Sequence, residues 1–255
     1  MPRRSRITAS EVPVHIIQRR NNRGACFFAD ADYELYLSQL RVLAAQFDCA
    51  VHAYCLMTNH VHLLLTPRQA DGSALLMKHL GQRYVQHVNR SYQRSGTLWE
   101  GRFRSCLVDS EHYLLACHRY IELNPHRAGM VSHPRLYRWS SYRINAEGKA
   151  SDLVKPHDQY VQLGRGAQQR REAYRALFRD ALDAAVVNDI RVATNGGFVL
   201  GAARFRDKIA AKLGRRVIPG QPGRPSRQAI EPGSIEPKPP QKGTRRDRGR
   251  QRKNQ

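Results

Sequence analysis

The chain has 255 residues, with 43 Lys and Arg against 21 Asp and Glu, a net charge of +22 and a pI near 10.6. Such a surface concentrates polyanions, nucleic acid foremost, and excludes an ordinary near-neutral metabolic enzyme with a small-molecule substrate. Hydrophobic residues make up 41 %, enough for a core. No run approaches the roughly 18 to 20 apolar residues of a membrane span, and Met1 to Arg6 lead into no signal-peptide core. The expected location is therefore the cytoplasm, in association with the nucleoid and not with a membrane. Five scattered cysteines (Cys26, Cys49, Cys55, Cys106 and Cys117) form no Cys-x-x-Cys pair. They are expected to be small buried residues, not a disulfide framework or a zinc ribbon.

Val12 to Gln18 reads as a strand, and Asp30 to Phe47 as a helix with Tyr36, Leu40, Leu43, Ala44 and Phe47 along one stripe. Two β-rich runs, Cys49 to Met57 and Val61 to Thr66, meet at Thr58-Asn59, which suits a hairpin turn. A second helix is expected over Ser73 to Asn89, then a strand over Phe103 to Val108. A third helix is expected to begin at Ser110 as N-cap and to stop at Pro125, whose ring cannot continue it. This order predicts an α+β domain of the ferredoxin-like split β-α-β type over residues 1–150. Residues 151–217 read as a helical C-terminal extension, with helices at Arg170 to Val187 and Arg204 to Leu213. Residues 204–255 hold 16 basic and 4 acidic side chains, and Pro219 to Pro240 contains seven prolines. Such composition cannot bury enough surface to offset chain entropy, so 218–255 is expected to be a disordered basic tail.

Two local patterns carry chemistry. In Asn59-His60-Val61-His62-Leu63-Leu64-Leu65, strand alternation puts His60 and His62 on one face, where two imidazoles can take adjacent positions on a divalent ion. A hydrogen-bonded pair of strand histidines has the same spacing. In Tyr120-Ile121-Glu122-Leu123-Asn124-Pro125, helical spacing stacks Tyr120 and Asn124 on one side. A tyrosine hydroxyl can attack phosphorus and form a covalent ester that retains the phosphodiester energy. Most tyrosines are core or interface residues, and spacing does not separate the two roles.

Together these patterns, with W-E-G-R-F at Trp99 to Phe103, R-Y-I-E-L-N-P-H-R-A-G-M-V at Arg119 to Val131 and W-S-S-Y at Trp139 to Tyr142, resemble the REP-associated tyrosine transposases. These belong to the single-tyrosine HUH transposases of bacterial insertion sequences. The resemblance covers residues 10–145 and extends more loosely over Thr194 to Arg216. It implies a ferredoxin-like catalytic domain that cleaves and rejoins hairpin-forming single-stranded DNA through a 5′-phosphotyrosyl intermediate. By the same resemblance Tyr120 is the nucleophile, and His60, His62 and Asn124 are the metal ligands. Asn124 stands where many relatives have Gln, so the shorter amide must approach closer or act through water. Two imidazoles, an amide and phosphate oxygens suit Mg2+ or Mn2+, though the ligand types alone also admit zinc. A free phenol ionises near about 10 and needs activation, but no residue is identified as the base; His118 and His126 are poorly placed by spacing.

For the DNA, Arg83, Arg90, Arg94, Arg102, Arg104 and Arg127 are candidate phosphate contacts, and Trp99 is a candidate stacking platform. Trp139-Ser140-Ser141 reads instead as a packing corner. Arg224, within Pro222-Gly223-Arg224-Pro225, is similar to the core of a minor-groove AT-hook, against the plainer reading of an electrostatic tether. Two alternatives stay open: a domesticated sequence-specific DNA-binding protein without significant catalysis, and a rolling-circle replication initiator. The chain could act as a monomer or a homodimer.

Overall fold

Strand alternation builds a sheet that is buried on both faces. In the computed structural model, which describes residues 5–220, the strands are β1 (Val14–Arg19), β2 (Cys49–Met57), β3 (His60–Pro67), β4 (Arg104–Val108) and β5 (Val199–Leu200). Their order is β2-β3-β1-β4-β5, antiparallel throughout except for the parallel β4/β5 pair. Helix α1 (Asp30–Gln46) joins β1 to β2, and α2 (Gly72–Ser91) joins β3 to β4. The first four strands with these crossovers form the expected ferredoxin-like α+β unit. The basic tail from residue 221 onward, Arg224 included, lies outside the described residues.

Odd and even residues of β3 enter different cores. Leu63 and Leu65 point with Ile16 toward Tyr36 and Leu40 of α1 and Leu80 of α2. Leu64, with Ala53, Cys55 and Cys106, faces the opposite layer. That layer consists of α3 (Leu114–Glu122), the short α4 (Asn124–Arg127) and a helix from the C-terminal segment. All five cysteines are buried and unpaired, as small apolar core residues should be. The Trp139-Ser140-Ser141 segment runs along the outer edge of β2, where Leu56 N donates to Trp139 O at 2.9 Å and Ser141 N to Tyr54 O at 3.0 Å. It closes an edge that would otherwise expose unpaired backbone groups.

Two boundaries differ from expectation. α3 begins at Leu114 rather than Ser110, after a turn that is held by Asp109, whose backbone carbonyl accepts from Tyr113 N at 2.9 Å. Its carboxylate accepts from Glu111 N at 3.2 Å and from Ala202 N at 3.2 Å, and so ties the turn to the C-terminal segment. Pro125 does not end the helical path but occupies the first turn of α4, where its missing N–H costs least. The bonds Leu123 N to Arg119 O and Arg127 N to Leu123 O, both 2.9 Å, carry the chain past it. Tyr120 and Asn124 therefore keep their i, i+4 relation.

The C-terminal segment contributes α5 (Tyr142–Glu147), α6 (Asp158–Val161), α7 (Ala167–Ala176), α8 (Ala184–Gly196) and α9 (Ala203–Leu213). The single helix expected over Arg170 to Val187 is divided between α7 and α8. The two halves bury into different places, Tyr174 beside α3 and Ile190 on the sheet, and Asp183 N-caps the second by accepting from Ala185 N at 2.7 Å. Gly197, at φ +66°, ends α8 in the left-handed region and turns the chain into β5.

A buried carboxylate fastens α3 to this segment. Glu122, fully buried, accepts from Ser141 Oγ at 2.6 Å, Asn145 Nδ2 at 2.8 Å and Tyr174 Oη at 2.7 Å. Burial outweighs these hydrogen bonds and raises its pKa from 4.5 to about 7. A carboxyl group raised in the folded state binds more protons there than in the unfolded chain, so its contribution is full below pH 4.5 and is lost as pH climbs through about 7. Relative to the wild type, Glu122→Gln should therefore become more stable by about 3 kcal/mol on going from pH 5 to pH 8, because it lacks the loss that Glu122 contributes over that range. Urea denaturation of both proteins across that range checks this; parallel curves would refute it.

Candidate active site

The hairpin turn sets the position of the two strand histidines. Thr58 O accepts from Cys26 N at 2.7 Å and Asn59 O from Arg20 N at 3.0 Å, so the loop after β1 pins the turn from outside. On the face toward α3, the register aligns Cys55, His62, Ile17 and Arg104 in one row and Met57, His60 and Arg19 in the next. His60 and His62 thus emerge side by side with ring centroids 4.9 Å apart, His62 buried and His60 half-buried. α3 lies over this row and brings the Tyr120 ring edge-on to His62, at 5.8 Å and 79°. Asn124 follows one turn later and donates from Nδ2 to Tyr120 O at 3.3 Å, and among the described residues its Oδ1 has no hydrogen-bond partner. The four residues singled out from the sequence are gathered into one place.

Hydrogen bonds engage the same nitrogen of each histidine. His60 Nδ1 meets Asn59 Oδ1 at 2.5 Å, and His62 Nδ1 meets His15 Nε2 at 3.0 Å. Among the described residues no hydrogen bond uses either Nε2, so both imidazole nitrogens keep a lone pair toward the site. Among the described residues no three His, Cys, Asp or Glu side chains gather around a common point. Burial keeps the imidazoles neutral: His60 is lowered to about 4, His62 is well below its usual value, and His15 is lowered to about 3. Arg19 lowers His60 further, and His60, His15, Arg19 and Arg127 add to the effect on His62.

The basic residues divide. The Arg127 guanidinium lies 4.7 Å from the centre of the Tyr120 ring, a cation–π contact directly on the phenol. Arg102 and Arg104 line a cleft of about 340 Å³ beside β4, shared with Arg6 and Asn195, and Arg104 donates to Asn195 Oδ1 at 2.9 Å. By the strand register Arg104 stands two strands from His62 on the same face, about 10 Å away. Arg83 and Arg90 belong to α2, on the other side of the sheet, where Arg83 bonds Gln39 of α1. Arg94 lies 5.9 Å from the centre of the Phe28 ring. Trp99 is only 5 % exposed, packed 6.0 Å from Tyr84 in the α1/α2 core, and does not form a surface platform. His118 meets Tyr174 Oη at 3.2 Å, and His126 Nδ1 meets Val131 O at 3.1 Å.

Sequence reasoning missed Arg19 and His15. Arg19 ends β1 beside His60, and its only signal was its place at the end of a strand. His15 interrupts an apolar strand, Val14 to Ile17, and a polar side chain there must find a buried partner.

Residues 8–124 match the family described as "Transposase IS200 like". Through this segment the chain is similar to the IS200-like transposases. The matched segment runs from before β1 to the first residue of α4, taking in His60, His62, Tyr120 and Asn124. No curated protein matches the sequence significantly. Among solved structures the chain is similar to a REP-associated tyrosine transposase bound to a REP hairpin, at 15 % identity over 62 % of this chain and 93 % of that one, with a TM-score of 0.50. It is also similar to a putative transposase from Deinococcus radiodurans R1, at 24 % identity over 48 % of this chain and 96 % of that one, with a TM-score of 0.34. The first of these supports the fold of the IS200-like unit.

Because burial disfavours the charged imidazole, protonation of all three histidines is postponed to acid pH. The ring Cε1–H resonances of His15, His60 and His62 should hold still from pH 8 to pH 5.5 in proton NMR; an inflection near about 6.5 in any of them would contradict this.

Proposed function

We propose that this chain is an IS200-like transposase that cuts and rejoins single-stranded DNA next to imperfect hairpins, with Tyr120 as the nucleophile. The observation that carries the reading is the packing of the Tyr120 ring against His62, with His60 alongside and Arg127 over the phenol. Family resemblance implies a divalent metal, and the donor set fits one: His60 Nε2, His62 Nε2 and Asn124 Oδ1 would hold it, with Mg2+ or Mn2+ the suitable ions. When bound, such an ion polarises the non-bridging oxygens of the scissile phosphate.

The chain's own residues then divide the work. Tyr120 Oη attacks phosphorus; the new P–O bond joins the tyrosine to the 5′ side of the cut, and the bond to the 3′ oxygen breaks to leave a free 3′-hydroxyl. The phosphodiester energy is held in the phosphotyrosine, so attack by a 3′-hydroxyl reverses the step and rejoins strands. Arg127 favours the negative charge that develops on the phenol oxygen. His118 and His126 point their Nδ1 atoms at Tyr174 Oη and Val131 O, and neither is assigned a role at this oxygen. Arg19, Arg102 and Arg104 continue the positive surface from the site along the ends of β1 and β4, a path for the strand leaving the hairpin. The short palindromes that REP-associated relatives bind are the expected hairpins. The location that follows is cytoplasmic and nucleoid-associated, and among the described residues no helix is long and apolar enough to cross a membrane.

A labelled oligonucleotide carrying an imperfect palindrome from the DNA flanking the gene, incubated with the protein and Mn2+, should give a covalent adduct on a denaturing gel. Tyr120→Phe should reduce it by at least about 1,000-fold. EDTA should abolish the adduct and Mn2+ restore it. An adduct that persists in Tyr120→Phe removes the assigned nucleophile, and binding without an adduct on any flanking palindrome favours a DNA-binding protein without catalysis. Arg127→Ala should slow adduct formation by about tenfold while leaving the melting temperature within a few degrees; unchanged kinetics would remove Arg127 from the chemistry.

A further inference from the structure

His62 is held by a chain of hydrogen bonds that ends in the C-terminal segment, beyond the part of the chain that matches the transposase family. His62 Nδ1 meets His15 Nε2 at 3.0 Å, His15 Nδ1 meets Thr194 Oγ1 at 2.9 Å, and Thr194 Oγ1 meets Ile190 O at 2.7 Å. Cys106 Sγ lies 3.2 Å from the same hydroxyl. His15 and Thr194 are fully buried.

The proton positions follow from the far end. A carbonyl only accepts, so the short contact to Ile190 O requires the Thr194 hydroxyl proton. Thr194 Oγ1 is then an acceptor toward His15, whose Nδ1 must carry a hydrogen. A neutral imidazole has one N–H, and among the described residues no Asp or Glu bonds His15 to sustain a second proton in its buried position. Its Nε2 therefore presents a lone pair. That lone pair accepts from Nδ1–H of His62, which leaves the lone pair of His62 on Nε2, the nitrogen free to face the site. With the Cys106 thiol donating into the second lone pair of Thr194, every polar atom in the chain is used.

We infer that Thr194 and His15 are positioning residues that act in series to fix His62 as its Nδ1–H tautomer and so keep Nε2 ready as a metal ligand. The metal part of this inference rests on the function proposed above; the tautomer does not. α8 is thereby tied to the chemistry, since it supplies Thr194 and the Ile190 carbonyl while packing on β4 and β1. A threonine 179 residues from His15 in sequence sets the orientation of a ligand's lone pair.

Long-range proton–nitrogen NMR of the full-length, metal-free protein reads the tautomers directly. His62 and His15 should both show hydrogen on Nδ1; an Nε2–H signature for His62 overturns the inference without any variant. Thr194→Val, nearly isosteric but without the hydroxyl, should mix the His62 tautomers and weaken Mn2+ binding by about tenfold or more, and Thr194→Ser should restore both. His15→Phe should weaken Mn2+ binding similarly, and the double variant should bind no worse than the weaker single one, because the two act through one chain. Unchanged Mn2+ affinity in folded Thr194→Val, or additive losses in the double variant, would overturn the serial role. His62→Ala separates the two readings: if it leaves Mn2+ binding unchanged, the metal assignment fails while the tautomer result stands on its own.

Discussion

Strand β3 is covered by helices on both faces, and its side chains alternate between them. Leu63 and Leu65 are committed to the α1/α2 core, so His60, His62 and Leu64 have only the other side, beneath α3. A one-residue slip of register would drive the imidazoles into the α1/α2 core and the leucines into the site, so the hydrophobic pattern that folds the sheet also holds the active-site geometry. The two-residue turn at Thr58-Asn59, pinned through Cys26 and Arg20, fixes where along the strand that alternation begins.

The placement under α3 settles the electrostatics. Buried imidazoles with arginines at their rim stay neutral and keep a lone pair each, while Arg19, Arg104 and Arg127 hold positive charge at the exposed margin of the same face. Net charge brings the polyanion to the protein, and burial keeps the centre from adding its own protons to that field. The two layers of helices serve different ends. α1 and α2 close the core around Tyr36 and Tyr84, whereas α3 and α8 bring Tyr120 and Thr194 to the opposite face. Glu122, bonded to Ser141, Asn145 and Tyr174, holds the helix of Tyr120 to the segment that follows it.

Much of this was legible along the chain. The order of strands and helices through Val108 identified the split β-α-β unit, because each element buries a face and so carries its own period. His60, His62, Tyr120 and Asn124 were legible as short-range patterns, i and i+2 on a strand and i and i+4 on a helix. The start of α3 was misjudged because Asp109 holds residues 109–113 in a turn ahead of the helix, and does so together with Ala202, a partner from far along the chain. The division between α7 and α8 was missed because each half answers to a different core. Trp99, taken for a surface platform, is buried for a similar reason: nothing in its neighbours states which side of α2 it will meet.

The amino-acid sequence by itself determined the net charge, the α+β class and the side-by-side spacing of His60 with His62 and of Tyr120 with Asn124, since composition and local periodicity are properties of neighbouring residues. Only the tertiary structure decided which arginines share a face with the site, how His60 and His62 are oriented, and that His15 and Thr194 stand behind them. Those depend on strand register and helix packing, which bring together residues with no local relation in the chain. A hydrogen bond between positions 15 and 194 leaves no periodic trace in either segment, yet it links α8 to His62 through His15.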